Sequence, residues 1–107
     1  MIFITAKFTI RPEYADSWPQ IVGSFTEATR AESGCLFFDW SRSLDNPAEY
    51  VLVEAFRDGD AGGAHVTSAH FRQAQQDLPK HLVATPKIVS QALEQDDWNE
   101  LGELAVK

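Results

Sequence analysis

Glu54, His65 and His70 are the side chains best suited to move protons, and all fall in one stretch, YVLVEAFRDGDAGGAHVTSAHF, from Tyr50 to Phe71. A neutral imidazole can remove a phenolic or enolic proton near pH 7, leaving an electron-rich anion able to reduce O2 directly. A carboxylate can accept a proton itself or orient an imidazole that does. Tyr50, Leu52, Glu54 and Phe56 point one way along a period-two segment, and Val51, Val53 and Ala55 point the other. A carboxylate on an apolar face needs a partner, because desolvating an unpaired charge is costly. That partner is a histidine, or else Arg42, Arg57 or Lys7 at a strand edge. His70 follows His65 by five residues, so on an unbroken helix their rings diverge by about 140°. They converge only if the helix breaks near Thr67-Ser68. Either ring can alternatively serve structure alone, bonding a backbone carbonyl.

Other chemistries fit less well. A metal centre from His65, His70, His81 and Glu54 lacks the i, i+4 spacing that brings two helical histidines to one ion, so no metal is expected. Cys35 is the only cysteine, which excludes an intramolecular disulfide and any cysteine-rich metal motif. It reads as a small apolar group, with no base beside it for nucleophilic catalysis. Gly59 and Gly62-Gly63 are too sparse for a phosphate loop or a dinucleotide fingerprint. Among the aromatic residues, Phe71, Phe56 and Tyr50 are candidates for one wall of a substrate pocket, and Trp18 and Phe25 for the other. Core packing is the competing role for each of them, as it is for Phe37 and Trp40.

The elements that must position these groups follow from periodicity. Residues 2–10 alternate, with Ile2, Ile4, Ala6, Phe8 and Ile10 on one face, and Arg11-Pro12 ends the strand. Tyr14, Trp18, Ile21, Val22, Phe25 and Ala28 recur at helical spacing. Pro19 suits a first turn, with Ser17 as N-cap and the helix proper beginning near Trp18; a longer helix kinked at Pro19 is the alternative. Gly34 is expected to close it in a left-handed conformation. Cys35–Ser43 and Glu49–Arg57 read as strands joined by the turn Leu44-Asp45-Asn46-Pro47, an antiparallel hairpin. Leu36, Phe38 and Trp40 are expected on one face, with Cys35, Phe37 and Asp39 on the other. Asp60 is the expected cap of a helix over 61–76 that breaks near Thr67-Ser68, and Lys87–Leu93 is a last strand.

The order β-α-β-β-α-β implies an α+β, ferredoxin-like sandwich: one antiparallel sheet with two helices on one face. The opposite face also carries large apolar groups, so a second copy packed by two-fold symmetry is expected, giving a homodimer. Residues 1–94 form the domain, and 95–107 an acidic C-terminal tail. There Asp97 and Glu100 have capping-box spacing and Trp98, Leu101 and Leu104 can form an apolar stripe, either as a short helix docked on a partner subunit or as a frayed end. The net charge of −7 disfavours nucleic acid and anionic membrane surfaces as partners. No apolar run approaches ~20 residues, and MIFITAKFTI lacks the features of a signal peptide. A cytoplasmic protein is the expectation, and the cysteine usage agrees with it.

Taken in order, AKFTIRP, ATRAESGCLFF, YVLVEAF, HVTSAHF and ATPKIV resemble the antibiotic biosynthesis monooxygenase family, in particular its small quinol-monooxygenase-like members. Glu54 stands eleven positions before His65, and H-x-x-x-x-H-F follows; that spacing is the most specific part of the likeness. The resemblance implies a dimeric α+β barrel that oxidises a small aromatic or quinol-type substrate with O2, without flavin, haem or metal. It also implies that Glu54, His65 and His70 belong to the pocket. Some relatives instead process a small phosphorylated sugar, so a proton-transfer isomerase acting on a carbonyl compound is a second expectation. A non-enzymatic dimeric ligand-binding module is a third. Haem-degrading relatives carry asparagine, tryptophan and histidine where this chain has Thr5-Ala6, His65 and Gln75, which argues against haem degradation.

Overall fold

The computed structural model describes residues 1–107. Strand β1 spans Ile2–Thr9, β2 Cys35–Arg42, β3 Glu49–Phe56 and β4 Lys87–Ala92, forming one antiparallel sheet in the order β2-β3-β1-β4. Both helical segments are divided. The first comprises α1 (Trp18–Ile21) and α2 (Gly23–Arg30), preceded by a 3-10 stretch at Pro12–Ser17; the second comprises α3 (Gly59–Val66) and α4 (Ala69–Asp77). This is the α+β ferredoxin-like arrangement anticipated from the order of elements. No helix is long and apolar enough to cross a membrane.

Register decides which residues face the helices. Opposite partners in an antiparallel pair share a face. Phe8, Ala6, Ile4 and Ile2 lie against Tyr50, Leu52, Glu54 and Phe56, and Phe38 and Trp40 lie against Glu54 and Leu52. Two apolar clusters result on that side. Ile10, Ala15, Trp18, Val22, Tyr50 and Leu82 form one, and Ala6, Phe38 and Leu52 the other. Trp40 joins them edge-on to both Phe8 (4.9 Å) and Trp18 (5.7 Å), while its Nε1 donates to Thr26 Oγ1 at 3.0 Å. Helix α1 starts at Trp18, with Pro19 in its first turn as anticipated, where a missing N–H costs nothing.

Several local expectations are corrected. The register shifts between Cys35 and Phe37, a bulge that leaves Leu36 41% exposed and pairs Cys35 with Phe56. Cys35 therefore shares the helix-facing side with Phe38, and not the outer side with Phe37. Gly34 has no positive φ; it is required by proximity, because a Cβ there would lie 2.3 Å from Ala61 Cβ. The cap of α3 is Asp58, not Asp60: its Oδ1 accepts from Ala61 N at 2.9 Å. That bond and the neighbouring Arg57 hold the Asp58 carboxyl below its ordinary pKa. In the tail the only helical turn is a 3-10 one at Gly102–Leu104, and Asp97 Oδ1 accepts from the adjacent Trp98 N–H. Trp98 itself packs on Phe37, with ring centroids 5.2 Å apart, on the sheet face away from the helices.

Candidate active site

The junction between α3 and α4 brings the two histidines together. Helix α3 ends at Val66, where Thr67 Oγ1 donates back to Gly63 O at 2.8 Å. Ser68 then caps α4: its Oγ accepts from Phe71 N at 3.2 Å and donates to His65 O at 2.6 Å. With the helix interrupted there, the His65 and His70 rings approach to 6.1 Å between centroids instead of diverging. Both reach one further side chain, Glu32, in the turn after α2. Its Oε2 lies 2.8 Å from His65 Nδ1 and 2.5 Å from His70 Nε2.

Glu32 was not among the site residues expected from the sequence, where it stands beside Gly34 at the end of the first helix. Close approach of its turn to α3 at Gly34 and Ala61 delivers it, and Arg57 N–H donating to Gly34 O at 2.8 Å fixes the turn to the end of β3. An ionised carboxylate only accepts, so each ring nitrogen facing an ionised Glu32 carries the hydrogen. The His65 lone pair is then at Nε2, which points to Glu54 Oε1 4.0 Å away. His65 is thus flanked by a carboxylate on each nitrogen. Neither the Arg42, Arg57 nor Lys7 alternative holds for Glu54: Arg42 pairs with Asp16, Arg57 with Asp58, and Lys7 sits on the opposite face of β1.

Burial makes this grouping electrostatically unusual. Glu54 is 7% exposed and His65 4%. Desolvation, with the charge of Glu32 as a smaller contribution, raises the Glu54 pKa from 4.5 to about 7. Close to neutral pH this residue is therefore both acid and carboxylate in comparable amounts. Burial, followed by Glu32 and Glu54, also pushes the Cys35 thiol up to about 11, so Cys35 stays a protonated, unreactive group. Phe56 stacks on the His65 ring at 4.7 Å, Phe71 meets it edge-on at 5.1 Å, and Phe25 lies 5.9 Å away.

Of the five aromatic residues expected to hold a substrate, Phe56, Phe71 and Phe25 surround His65. Trp18 and Tyr50 instead line a separate hollow of about 340 Å3 between α1, α2 and the sheet, together with Val22, Thr26, Arg30 and Trp40. The Tyr50 hydroxyl is committed to Ala15 O at 2.8 Å, whereas Trp18 Nε1 is buried with no partner in the protein. His81 stands apart from the cluster, edge-on to Tyr14 at 4.6 Å.

The antibiotic biosynthesis monooxygenase sequence pattern matches residues 1–77. No curated protein matches the chain. Among solved structures, a candidate antibiotic biosynthesis monooxygenase from Deinococcus radiodurans has a TM-score of 0.81 at 22% identity, covering 94% of this chain and 99% of its own. One from Nitrosomonas europaea has a TM-score of 0.81 at 20% identity, covering 89% and 100%. A protein from Mycobacterium tuberculosis is 25% identical with a TM-score of 0.79, covering 89% and 96%. With the matched pattern spanning three of the four strands and all the residues gathered around His65, the chain belongs to the antibiotic biosynthesis monooxygenase family.

Proposed function

We propose that the protein is a monooxygenase that oxidises a small aromatic or quinol-type substrate with O2, using its own side chains in place of a cofactor. The observation that carries this reading is the His65 ring held at Nδ1 by Glu32, which leaves Nε2 as the proton acceptor toward Glu54. A carboxylate holding the remote nitrogen of an imidazole fixes its tautomer and stabilises the imidazolium formed when it takes a proton. His65 would remove a phenolic or enolic proton, Glu54 would balance or relay it, and the resulting anion would pass electrons to O2. One oxygen atom enters the substrate, which gives up two hydrogens in all, and these leave with the other oxygen atom as water. His70 supports the arrangement through the shared Glu32 oxygen.

Substrate would occupy the hollow beside Trp18 and Tyr50, and its oxygen would meet the unpartnered Trp18 N–H only by opening the packing that buries that group. Phe38 packs 6.1 Å from both Trp40, which lines that hollow, and His65, and Phe25 lies 5.7 Å from Phe38 and 5.9 Å from His65. The substrate ring would reach the base by displacing Phe25, the less buried of the two. The test is O2 consumption with a panel of quinols in metal-free buffer. Uptake that disappears in His65→Ala supports the proposal; uptake that requires added flavin or iron refutes it.

A second reading, proton-transfer isomerisation of a small, phosphorylated or unphosphorylated carbonyl compound, is favoured by Glu54 titrating near neutrality beside an imidazole. Turnover retained under strict anaerobiosis would select it. We also infer a homodimer formed through the outer sheet face, where Phe3, Phe37, Val51 and Val53 are only half-buried, with residues 95–107 lying along that interface. The free thiol of Cys35 suits the reducing cytoplasm, where we place the protein.

A further inference from the structure

The geometry points to a divalent transition-metal site at Glu32, His65 and His70, able to exchange with the hydrogen-bonded form of the same cluster. One donor atom from each of these residues lies within 4.8 Å of the other two, and Glu32 Oε2 contacts both His65 Nδ1 and His70 Nε2. Spacing arguments on the histidines alone miss this, because the ligands come from three elements: the turn after α2, the last turn of α3 and the first turn of α4. His81 and Glu54, the other candidates from sequence, supply no donor to it.

Two histidines and one carboxylate with positions left open is the donor set that non-haem iron and catalytic zinc sites use. Bonds of about 2.0–2.2 Å to each donor require donor separations of roughly 3.3 Å. Side-chain adjustments on the order of 1 Å convert the present contacts to that geometry. The surroundings fit a metal site as well. Glu54 stands beyond the far nitrogen of His65, 4.0 Å away, where ligating histidines place the carboxylate that receives their remaining N–H. Phe25, Phe56 and Phe71 form an apolar shell. The His70 side chain, 24% exposed against 5% for His65, is the side from which an ion would enter.

Occupancy has a chemical consequence. An ion on Nδ1 obliges neutral His65 to carry its hydrogen on Nε2, which then donates toward Glu54 and can no longer accept a proton. Metal-loaded and base-competent His65 are therefore mutually exclusive states.

The test uses the full chain, freed of metal with a chelator and titrated with Co2+, reading visible absorption, with Zn2+ as competitor. One ion per chain is expected. Glu32→Gln and His70→Ala should each weaken binding by at least ~100-fold, the upper end of what losing a group one step further from a metal costs. His81→Ala should bind as the unaltered chain does. Where a variant does not fold, histidine NMR of the unaltered protein replaces it: Co2+ should broaden the His65 and His70 signals and spare His81. Absence of one-to-one binding, binding indifferent to Glu32 and His70, or broadening centred on His81 overturns the inference. None of these readouts uses turnover, so a failure here leaves the proposed oxidation standing, and a failed oxidation assay leaves this site standing.

Discussion

Glu54 is the residue whose ionisation is most entangled with the fold. Its folded pKa of about 7 lies above the ordinary 4.5, so the native state holds a proton that the unfolded chain releases between those values. Stability contributed by this group must then fall as pH rises from about 4.5 to 7 and level off above that. The full difference corresponds to roughly 3 kcal/mol. Glu54→Gln removes the dependence: urea unfolding of variant and parent across pH 4–8 should show the variant's relative stability growing through that window and then holding constant. A difference that stays flat would mean that Glu54 is not buried as described. Glu32 acts on the same residue from across the imidazole. Replacing it with glutamine removes the smaller contribution to the raised pKa, so carboxyl NMR of Glu54 should titrate lower, yet still above 4.5 because desolvation remains. If His65 is the base as proposed, the same variant should lose about 10- to 100-fold in kcat with KM little changed, since Glu32 would hold the base without contacting substrate.

At the scale of elements, the close contact between the turn after α2 and helix α3 decides whether Glu32 is present at all. Gly34→Ala puts a methyl group 2.3 Å from Ala61 Cβ and 3.3 Å from its Cα, so turn and helix must part. The expected cost is about 1–3 kcal/mol, with loss of the Glu32 contacts. Ala61→Gly in the same chain should restore much of it, a coupling that thermal unfolding of the double variant measures. Alternation and helical spacing made the strands and helices legible, and Thr67-Ser68 announced the break that brings His70 to His65. Glu54 was legible because a carboxylate is out of place on an apolar strand face. Glu32 was not: in E-S-G it looks like any solvated turn residue, and its partners lie 33 and 38 positions away. The bulge at Leu36 and the role of Gly34 were hidden for the same reason, since each answers to a neighbour brought near only by folding. Asp58 and Asp60 both suit an N-cap by type, and only the start of α3 separates them.

For the molecule as a whole, the two faces of the sheet differ in how completely they are covered. The inner face is packed with aromatic side chains, whereas the outer face has Trp98 over Phe37 and half-buried valines on β3. The inferred dimer predicts twice the chain mass in sedimentation. Val53→Glu, which sets a second carboxylate opposite Asp39 on that face, should shift it toward monomer while leaving the Glu54 titration unchanged. An unaltered sedimentation profile would count against a sheet-to-sheet contact. Strand β4, exposed along its entire length, pairs only with β1 and supplies nothing to the cluster, whose members all lie between residues 32 and 70. The proposed proton chemistry and the cover over the β1 edge thus lie in different parts of the chain: trimming β4 would bare the backbone of β1 to sticky self-association while leaving every side chain of the cluster in place, and a peptide matching 87–92 is the natural plug for that gap.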